Sequence, residues 1–236
     1  MLIIEHLTKK YGETKAVDDL SLHIQPGEIY GFIGHNGAGK TTTLKSVAGI
    51  LQFDEGTITV NGHSVLEDPL AAKKDLAYIP DNPDLYDNLT GIQYLNFIAD
   101  VFEIGAAERE ERIKKYADLF EITDSLGDLI SSYSHGMKQK IAIISALIHK
   151  PKLLVLDEPF VGLDPKATFT LKEIMHEMCG EGTAIFFSTH VLDVAEKLCN
   201  KVAIIKKGRI IASGTMEELT EGHSLEEAFL ETDNEK

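Results

Sequence analysis

A glycine-rich segment followed by a lysine and threonines offers the clearest chemistry in this 236-residue chain. It reads GHNGAGKT and has the spacing G-x-x-x-x-G-K-[ST]. A strand-like run precedes it and a helical pattern follows, so its glycines can turn the backbone until amide N–H groups surround a phosphate at the positive end of a helix. Lys40 would reach the outer phosphates, and the Thr41 hydroxyl would bind Mg²⁺. The predicted phosphate-binding residues are Gly34, His35, Asn36, Gly37, Ala38, Gly39, Lys40, Thr41 and Thr42.

Two adjacent carboxylates follow an apolar run in the second half of the chain. The segment LLVLDEP is typical of a buried strand that ends in Asp157 and Glu158. Asp157 at the tip of such a strand can bind Mg²⁺ directly or through water, and Glu158 is then placed to orient or deprotonate an attacking water. An Asp at a strand end often serves only as a turn former or helix cap. The prediction of metal binding therefore depends on its combination with the lysine loop.

A histidine closes another apolar run, which reads FFSTH and ends at His190. A histidine at a strand end is often only a surface or capping residue. In a parallel sheet, however, ligands gather at the carboxyl ends of the strands, and Gly34, Asp157 and His190 would all lie along that edge. We therefore expect His190 to contact a terminal phosphate or the attacking water.

Seven short apolar runs supply the strands that must position these groups. Several are unbroken rather than alternating, which is typical of strands buried on both faces, and helical patterns separate the later ones. The pattern indicates an α/β fold with a mostly parallel sheet covered by helices. Turn residues around Tyr11-Gly12 and Gln25-Pro26-Gly27 predict antiparallel hairpins near the start of the chain. The seven runs begin at Leu2, Glu28, Thr57, Leu76, Lys152, Thr183 and Val202.

Between residues 81 and 150 the strand pattern gives way to helical periodicity. Three segments carry it: TGIQYLNFIADVFEI, AAEREERIKKYADLFEI and HGMKQKIAIISALIHK. We interpret 81–150 as an inserted helical subdomain within one domain that spans 1–236. Asn61-Gly62 predicts a further hairpin before this insert. Over 215–236 we expect an acidic tail of two short helices with a solvated charged face.

The composition of the chain excludes several classes of protein. Its formal net charge is −15 and no basic stripe is present, so binding of nucleic acid through phosphates is not expected. No apolar run approaches the roughly 18 residues of a membrane span. The start, MLIIEHLTKK, is the reverse of a secretory signal. Cys179 and Cys199 lack CxxC spacing and predict neither a disulfide framework nor a zinc site. We expect a cytoplasmic protein.

The order of these motifs resembles that of the nucleotide-binding subunit of ATP-binding cassette (ABC) transporters, over almost the full chain. In that family the motifs are the Walker A loop, the Walker B strand with its catalytic glutamate, the D-loop and a switch histidine, and an aromatic residue stacks on adenine. A plain hairpin aromatic would explain Tyr11 as well. The matching positions, in the same order, are Gly34–Thr42, Leu153–Glu158, Gly162–Asp164, His190 and Tyr11.

The segment YSHGMKQK occupies the position of the family signature, which is normally LSGGQ. From the residues alone, Ser134, His135 and Gly136 begin a helix, so their amides and the Ser134 hydroxyl form a second anion site. A Ser that merely caps a helix is commonplace. The resemblance implies that Ser134 and Gly136 cover the γ-phosphate of a nucleotide held by another subunit. Two chains would then pair head to tail with two ATP molecules between them.

The chain departs from the family pattern in two places. His135 and Met137 replace a glycine and the glutamine of the signature. Asp81 stands where the family usually has the glutamine of the Q-loop, and it cannot donate an amide hydrogen bond, although a carboxylate can still bind Mg²⁺. We place Asp81 with Lys40, Glu158 and His190 among the catalytic residues. The expected Mg²⁺ ligands are Thr41, Asp157 and Asp81.

Three apolar residues, Leu85, Tyr86 and Leu89, follow Asp81 on a polar loop. In the family this region meets the membrane subunit. Packing beneath the helical insert would explain the same residues equally well.

The resemblance implies a P-loop NTPase (RecA-like) fold with an N-terminal antiparallel β region. It also implies an ATPase that uses ATP and Mg²⁺, dimerises with itself or a second nucleotide-binding subunit, and drives an integral membrane transporter subunit from the cytoplasmic face of the membrane. The signature variant is similar to those of bacterial export-type cassettes. Two alternatives stay open: a soluble cassette ATPase that acts on nucleic acid or protein assembly, and a nucleotide sensor that hydrolyses poorly. P-loop kinases fit less well, because they lack the signature helix and switch histidine.

Overall fold

The strands of the chain are divided between two sheets. The computed structural model describes residues 1–220 and 223–234, and each of the seven predicted apolar runs forms a strand in it. The elements in chain order are β1 (Leu2–Tyr11), β2 (Thr14–Ile24), β3 (Ile29–Ile33), α1 (Lys40–Val47), β4 (Glu55–Val60), β5 (His63–Ser64), α2 (Pro69–Lys74), β6 (Leu76–Ile79), α3 (Gly91–Val101), α4 (Ala106–Leu119), α5 (His135–Leu147), β7 (Leu153–Asp157), α6 (Pro165–Gly180), β8 (Ala184–Thr189), α7 (Leu192–Leu198), β9 (Lys201–Lys206), β10 (Arg209–Thr215), α8 (Met216–Thr220) and α9 (Leu225–Asn234).

The larger sheet has six strands in the order β10-β9-β3-β8-β7-β6. All neighbours from β9 to β6 are parallel, and only β10 runs antiparallel, beside β9. The central strands β3, β7 and β8 are buried along their whole length. This burial on both faces explains their unbroken apolar sequence and confirms the predicted mostly parallel sheet.

The smaller sheet is antiparallel, with the order β2-β1-β4-β5. The predicted hairpins at Tyr11-Gly12 and Asn61-Gly62 are confirmed. Asn61 and Gly62 have φ angles of 50° and 85°, which a two-residue type I′ turn requires. The hairpin predicted at Gln25-Pro26-Gly27 is wrong. This turn carries the chain from one sheet to the other, because β3 pairs with β8 and β9 rather than with β2.

Successive side chains of the central strands enter two separate cores. In β3, Ile29 and Ile33 belong to one apolar cluster, whereas Tyr30 and Phe32 belong to the other. The first cluster includes side chains of α3 to α7, and the second includes those of α1 and the antiparallel sheet. The six-stranded sheet is therefore the middle layer, which holds its carboxyl edge rigidly between two packed faces.

Helices α3, α4 and α5 lie within the segment that was predicted to be helical. Helix α3 begins with a capping box, in which Thr90 and Gln93 satisfy each other's backbone amides. That 81–150 forms a subdomain of its own stays a prediction. Among the described residues, no helix is both long and apolar enough to cross a bilayer.

The acidic tail contains the two expected helices, α8 and α9. Residues 221–222 and 235–236 of this predicted tail lie outside the described residues. Glu226 and Glu227 are exposed, as expected for a solvated acidic face, whereas Leu225 is fully buried in the core beside α7. The helix is therefore tied to the domain by its apolar side.

Candidate functional site

The carboxyl edge of the parallel sheet brings the predicted chemical groups together. Gly34 follows β3, Asp157 ends β7, and His190 follows β8, which lies between the other two strands. A cavity of about 520 Å³ opens at this edge. Its lining residues are Ala16, His35, Asn36, Gly37, Gly39, Lys40, Thr41, Thr42, Asp81, Asp157 and Glu158.

The glycine-rich loop leaves the first turn of α1 open to this cavity. The helix has Gly39 at its N-cap, with no side chain accepting a hydrogen bond from its first amides. Gly39 has a φ of 112°, and a Cβ there would lie 2.4 Å from the carbonyl oxygen of Ala16, so only glycine fits. Free N–H groups at a helix N-terminus attract anions. The loop has the form that a phosphate site needs.

The Lys40 ammonium is buried within its own loop. Nζ donates hydrogen bonds to the carbonyl oxygens of Gly34, at 2.6 Å, and His35, at 3.3 Å. It also lies 3.5 Å from Oε1 of Glu158, and the lysine side chain is only 6% exposed. The lysine is thus held at the cavity wall, where its positive charge faces the carboxylates.

Asp157 is a buried carboxylate with one oxygen paired and the other not. Its Oδ1 accepts a hydrogen bond from the Ser188 hydroxyl at 2.5 Å. Its Oδ2 is buried and has no hydrogen-bond partner among residues 1–220 and 223–234. Burial raises the pKa of the Asp157 carboxyl above its usual range, and the nearby charges of Asp81 and Glu158 raise it further, whereas the Ser188 and Thr41 hydroxyls oppose the rise. An unpartnered anionic oxygen of this kind fits a bound cation.

The residues around Asp157 fit Mg²⁺ bound together with phosphates. Thr41 and Asp81 line the same cavity and supply the oxygen ligands that Mg²⁺ prefers. In the described part of the chain, no group of three or more His, Cys, Asp and Glu side chains could hold a metal ion by itself. Most of the ligands would then come from phosphate and water, as is usual for Mg²⁺.

Glu158 contacts Lys40 and His190 at this edge. Its Oε1 lies 3.0 Å from Nδ1 of His190 and 3.5 Å from Nζ of Lys40. Its backbone φ is +47°, a left-handed conformation that costs a glutamate about 1 kcal/mol or more and is typical of functional sites. The Glu158 amide donates to the Ser188 hydroxyl at 3.1 Å. Ser188 therefore holds the carboxylate of Asp157 and the backbone of Glu158.

Ser188 was not identified as a site residue from the sequence, although it lies in the segment FFSTH that ends at His190. Its hydroxyl is the one polar group on a strand that is otherwise buried and apolar up to Thr189. A polar residue at a fully buried strand position, two residues before a candidate histidine, is the signal that could have found it.

Not all predicted site residues line the cavity. Tyr11, at the end of β1, is 53% exposed, and its ring lies 5.4 Å from Nζ of Lys9. Ser134 caps α5 by accepting a hydrogen bond from the amide of Met137, and Gly136 lies in the first turn of that helix. None of the three is among the residues around the cavity. Their predicted roles remain predictions, as do those of the cavity residues.

The tail helix α9 contacts the phosphate loop from outside. The ring of Phe229 packs edge-on against the ring of His35, with centroids 5.1 Å apart. A second cavity, of about 200 Å³, is lined by both residues and by His190. Because Leu225 anchors α9 in the core, this helix buttresses the loop that carries His35.

The segment YSHGMKQK packs directly on residues 162–164 of the same chain. Gly162 has a φ of 81°, and a Cβ on it would lie 2.4 Å from Cδ2 of His135. Lys140 also forms an ion pair with Asp164, at 2.9 Å. His135 thus occupies the space in which a side chain at Gly162 would lie, and the two segments pack against each other.

We expect Gly162→Ala to lower the free energy of unfolding more than the same substitution at a left-handed glycine that has no close neighbours. Both backbone strain, roughly 1–2 kcal/mol, and a clash with His135, roughly 1–3 kcal/mol, would lower the free energy of unfolding. Gly62→Ala is the matched control, because Gly62 has a φ of 85° and nothing within 4 Å of its Cβ position. Urea unfolding measures both. Equal losses would contradict the clash, and His135→Ala should rescue only Gly162→Ala.

Comparisons with known proteins agree with the fold and with the motifs. The family profile described as "ABC transporter" matches residues 17–161. The chain is 35% identical over 231 residues to the ABC-type transporter ATP-binding protein EcsA of Bacillus subtilis, covering 98% of this chain and 94% of that protein. It is 34% identical to the linearmycin resistance ATP-binding protein LnrL of the same organism, covering 93% of this chain and 70% of the relative.

Solved structures have the same architecture. An ATP-binding subunit of an ABC transporter superposes with a TM-score of 0.95 at 34% identity, covering 99% of this chain and all of that one. The ATP-binding cassette MJ0796, in a dimeric post-hydrolysis state with ADP and Pi, superposes with a TM-score of 0.83 over 92% of this chain and 99% of that one. At 21% identity, the second likeness bears on the fold alone.

Proposed function

Because this chain belongs to the ABC transporter family of ATP-binding proteins, we propose that it pairs around MgATP, hydrolyses it and powers substrate transport by a separate membrane-spanning protein. The observation that carries the proposal is the convergence of the phosphate loop, Asp157 and Glu158 on one cavity, with His190 bonded to Glu158 beside it. The chain would act at the cytoplasmic face of the membrane as a peripheral subunit.

In this proposal the phosphate loop and Lys40 bind the triphosphate. The open amides of the first α1 turn take its oxygens, and the lysine ammonium stabilises the charge on the outer phosphates. Lys40 now bonds to two loop carbonyls and lies near Glu158, so an incoming phosphate would compete for the same ammonium. Nucleotide binding would then free Glu158 from its nearest cation.

Thr41, Asp157 and Asp81 are the proposed Mg²⁺ ligands. When bound, the ion would neutralise charge on the phosphates that move during the reaction. The buried Oδ2 of Asp157 supports this assignment, because its charge is otherwise unpaired. Ser188 holds the other oxygen and so directs Oδ2.

Glu158 is the proposed general base. A carboxylate at a strand end can accept a proton from water that attacks the γ-phosphate in line. His190 bonds to the same oxygen that faces Lys40, which positions the glutamate. We propose that His190 also contacts the terminal phosphate.

The second half of the site would come from a twin copy. The amides at the start of α5, with Ser134 and Gly136, would cover the γ-phosphate held by the partner. The position of Ser134 and Gly136 outside the cavity of their own chain supports this role toward another chain. Tyr11 is proposed, separately, to stack on adenine. Dimeric cassette structures among the fold neighbours are compatible with such pairing.

An aromatic cluster after Asp81 is the proposed contact with the membrane partner. Tyr86 is 54% exposed, and its ring lies 6.0 Å from that of Tyr94 and 5.7 Å from that of Phe97. By contrast, Leu85 is buried in the core and Leu89 packs against it. Of the two explanations for these loop residues, packing accounts for the leucines, and docking is proposed for Tyr86 and Phe97 only.

We expect Tyr86→Asp to abolish co-purification of an integral membrane protein with the tagged chain. A charge within the aromatic cluster would have to be desolvated on docking, which costs several kcal/mol. Phe169→Asp is the control, since Phe169 is 65% exposed but lies on α6. Detergent extracts of membranes should yield the partner with the wild type and the control. Recovery of the wild type from soluble extract alone would favour a soluble cassette ATPase.

A nucleotide sensor that hydrolyses poorly is the second candidate. Asp81, at the position of the family glutamine, supports it, because a third carboxylate beside Asp157 and Glu158 adds negative charge next to the γ-phosphate. A single-turnover assay separates the two: phosphate release supports the ATPase, whereas an ATP-dependent dimer that releases no phosphate supports the sensor.

A further inference from the structure

Tyr78 and Asp157 lie on the same face of the sheet, on neighbouring strands. In the parallel register of β6 and β7, Tyr78 is opposite Val155, and Asp157 follows two residues later. Side chains alternate along a strand, so Tyr78, Val155 and Asp157 share one face. Packing agrees, because Tyr78 contacts the apolar cluster that contains Val155 and α1. The tyrosine is thus a diagonal neighbour of the aspartate.

Each of these two side chains has a buried polar atom without a partner. Tyr78 Oη and Asp157 Oδ2 both lack a hydrogen bond to any described residue. One is a donor and the other an acceptor. A buried polar group without a hydrogen-bond partner lowers the stability of the folded state. Where several such groups converge, an ordered water usually supplies the missing hydrogen bonds.

The electrostatic surroundings of Tyr78 place it near the carboxylates. Burial raises the pKa of its phenol far above the ordinary value, and the charges of Asp157 and Asp81 raise it further. The phenol is therefore protonated at neutral pH and can donate. Asp81 and Asp157 both line the nucleotide cavity, so the carboxylates that act on this phenol are the two proposed for the cation.

We infer that Tyr78 and Asp157 share one buried water, which accepts from Tyr78 Oη and donates to Asp157 Oδ2. The water fixes the second carboxylate oxygen, as Ser188 fixes the first. Tyr78 is then a positioning residue for the cation that accompanies the nucleotide, and this role rests on the proposed MgATP site. Residues that orient a metal ligand typically contribute 10–100-fold to metal affinity.

Tyr78→Phe tests this role, because it removes the hydroxyl and keeps the ring. Mn²⁺ binding to the protein–ADP complex is followed by electron paramagnetic resonance. We expect about tenfold weaker Mn²⁺ binding, with the affinity for ADP in metal-free buffer unchanged. Tyr30→Phe is the matched control. Tyr30 is a buried tyrosine on β3, on the same face of the sheet as Tyr78, and its ring centroid lies 6.2 Å from that of Phe186. Tyr30→Phe should leave the affinity for Mn²⁺ unaltered.

Two results would overturn the inference. One is a Tyr78→Phe protein that binds Mn²⁺ as the wild type does, which would reduce Tyr78 to a packing role. The other is a high-resolution structure of the wild type in which no water contacts both Oη and Oδ2, and this measurement needs no variant. If the wild type with ADP binds no Mn²⁺ at all, the proposed nucleotide function fails together with the inference.

Discussion

Glu158→Gln is expected to slow ATP turnover by roughly 10² to 10⁴-fold, the range for loss of a general base. Glutamine keeps the size of the side chain but cannot accept a proton. Its amide can still reach Lys40 and His190, which lie 3.5 and 3.0 Å from the present carboxylate oxygen, so the cavity should keep its shape. Binding of ATP should therefore survive while the chemical step fails.

Phosphate release and size-exclusion chromatography with MgATP measure the two effects separately. The variant should accumulate as an ATP-bound dimer, because nucleotide enters and is not consumed. Glu173→Gln, an exposed glutamate on α6, is the control and should turn over normally. Unchanged turnover in Glu158→Gln would remove this residue from the mechanism. A variant that stays monomeric with MgATP would argue against the proposal that two copies pair around MgATP to power transport.

Lys40→Ala is expected to weaken ATP binding by roughly 10- to 100-fold, the range for losing a hydrogen bond to a charged group. The buried ammonium lies 3.5 Å from the Glu158 carboxylate and lines the same cavity as Asp157 and Asp81. Without it, an incoming triphosphate would face Asp157, Glu158 and Asp81 with no lysine between them. Pairing should be lost as well, because it depends on bound nucleotide.

Titration calorimetry with ATP checks the Lys40 prediction. Lys45→Ala is the control, since Lys45 lies on the same helix but does not line the cavity. Equal affinity for ATP in the Lys40 and Lys45 variants would contradict the assignment. The two main variants also differ in kind: Glu158→Gln should bind ATP without turning it over, whereas Lys40→Ala should bind ATP more weakly.

Much of the site could be predicted because each of its motifs lies within one short stretch of the sequence. The glycine loop, the paired carboxylates and the histidine each sit within a few residues of one chain segment. The rule that ligands gather at the carboxyl ends of parallel strands then placed Gly34, Asp157 and His190 on one edge, where the structure has them.

The rest depends on contacts between distant segments. Ser188 and Tyr78 act on Asp157 only through the register of β6, β7 and β8, which no single segment encodes. The turn at Gln25-Pro26-Gly27 has residues that are typical of a hairpin. It nevertheless leads into the other sheet, because β3 pairs in parallel with β8 and β9. Which residues of the loop after Asp81 face outward depends on such contacts too, because Leu85 packs into the core.

The contact between Phe229 and His35 has a practical consequence for handling the protein. The ring that contacts the nucleotide loop lies on α9 (Leu225–Asn234), outside the cavity itself. A purification tag or fluorescent fusion joined directly after α9 would pull on this helix and change nucleotide affinity without touching the cavity. A fusion joined before β1, beside the antiparallel sheet, does not act on this contact.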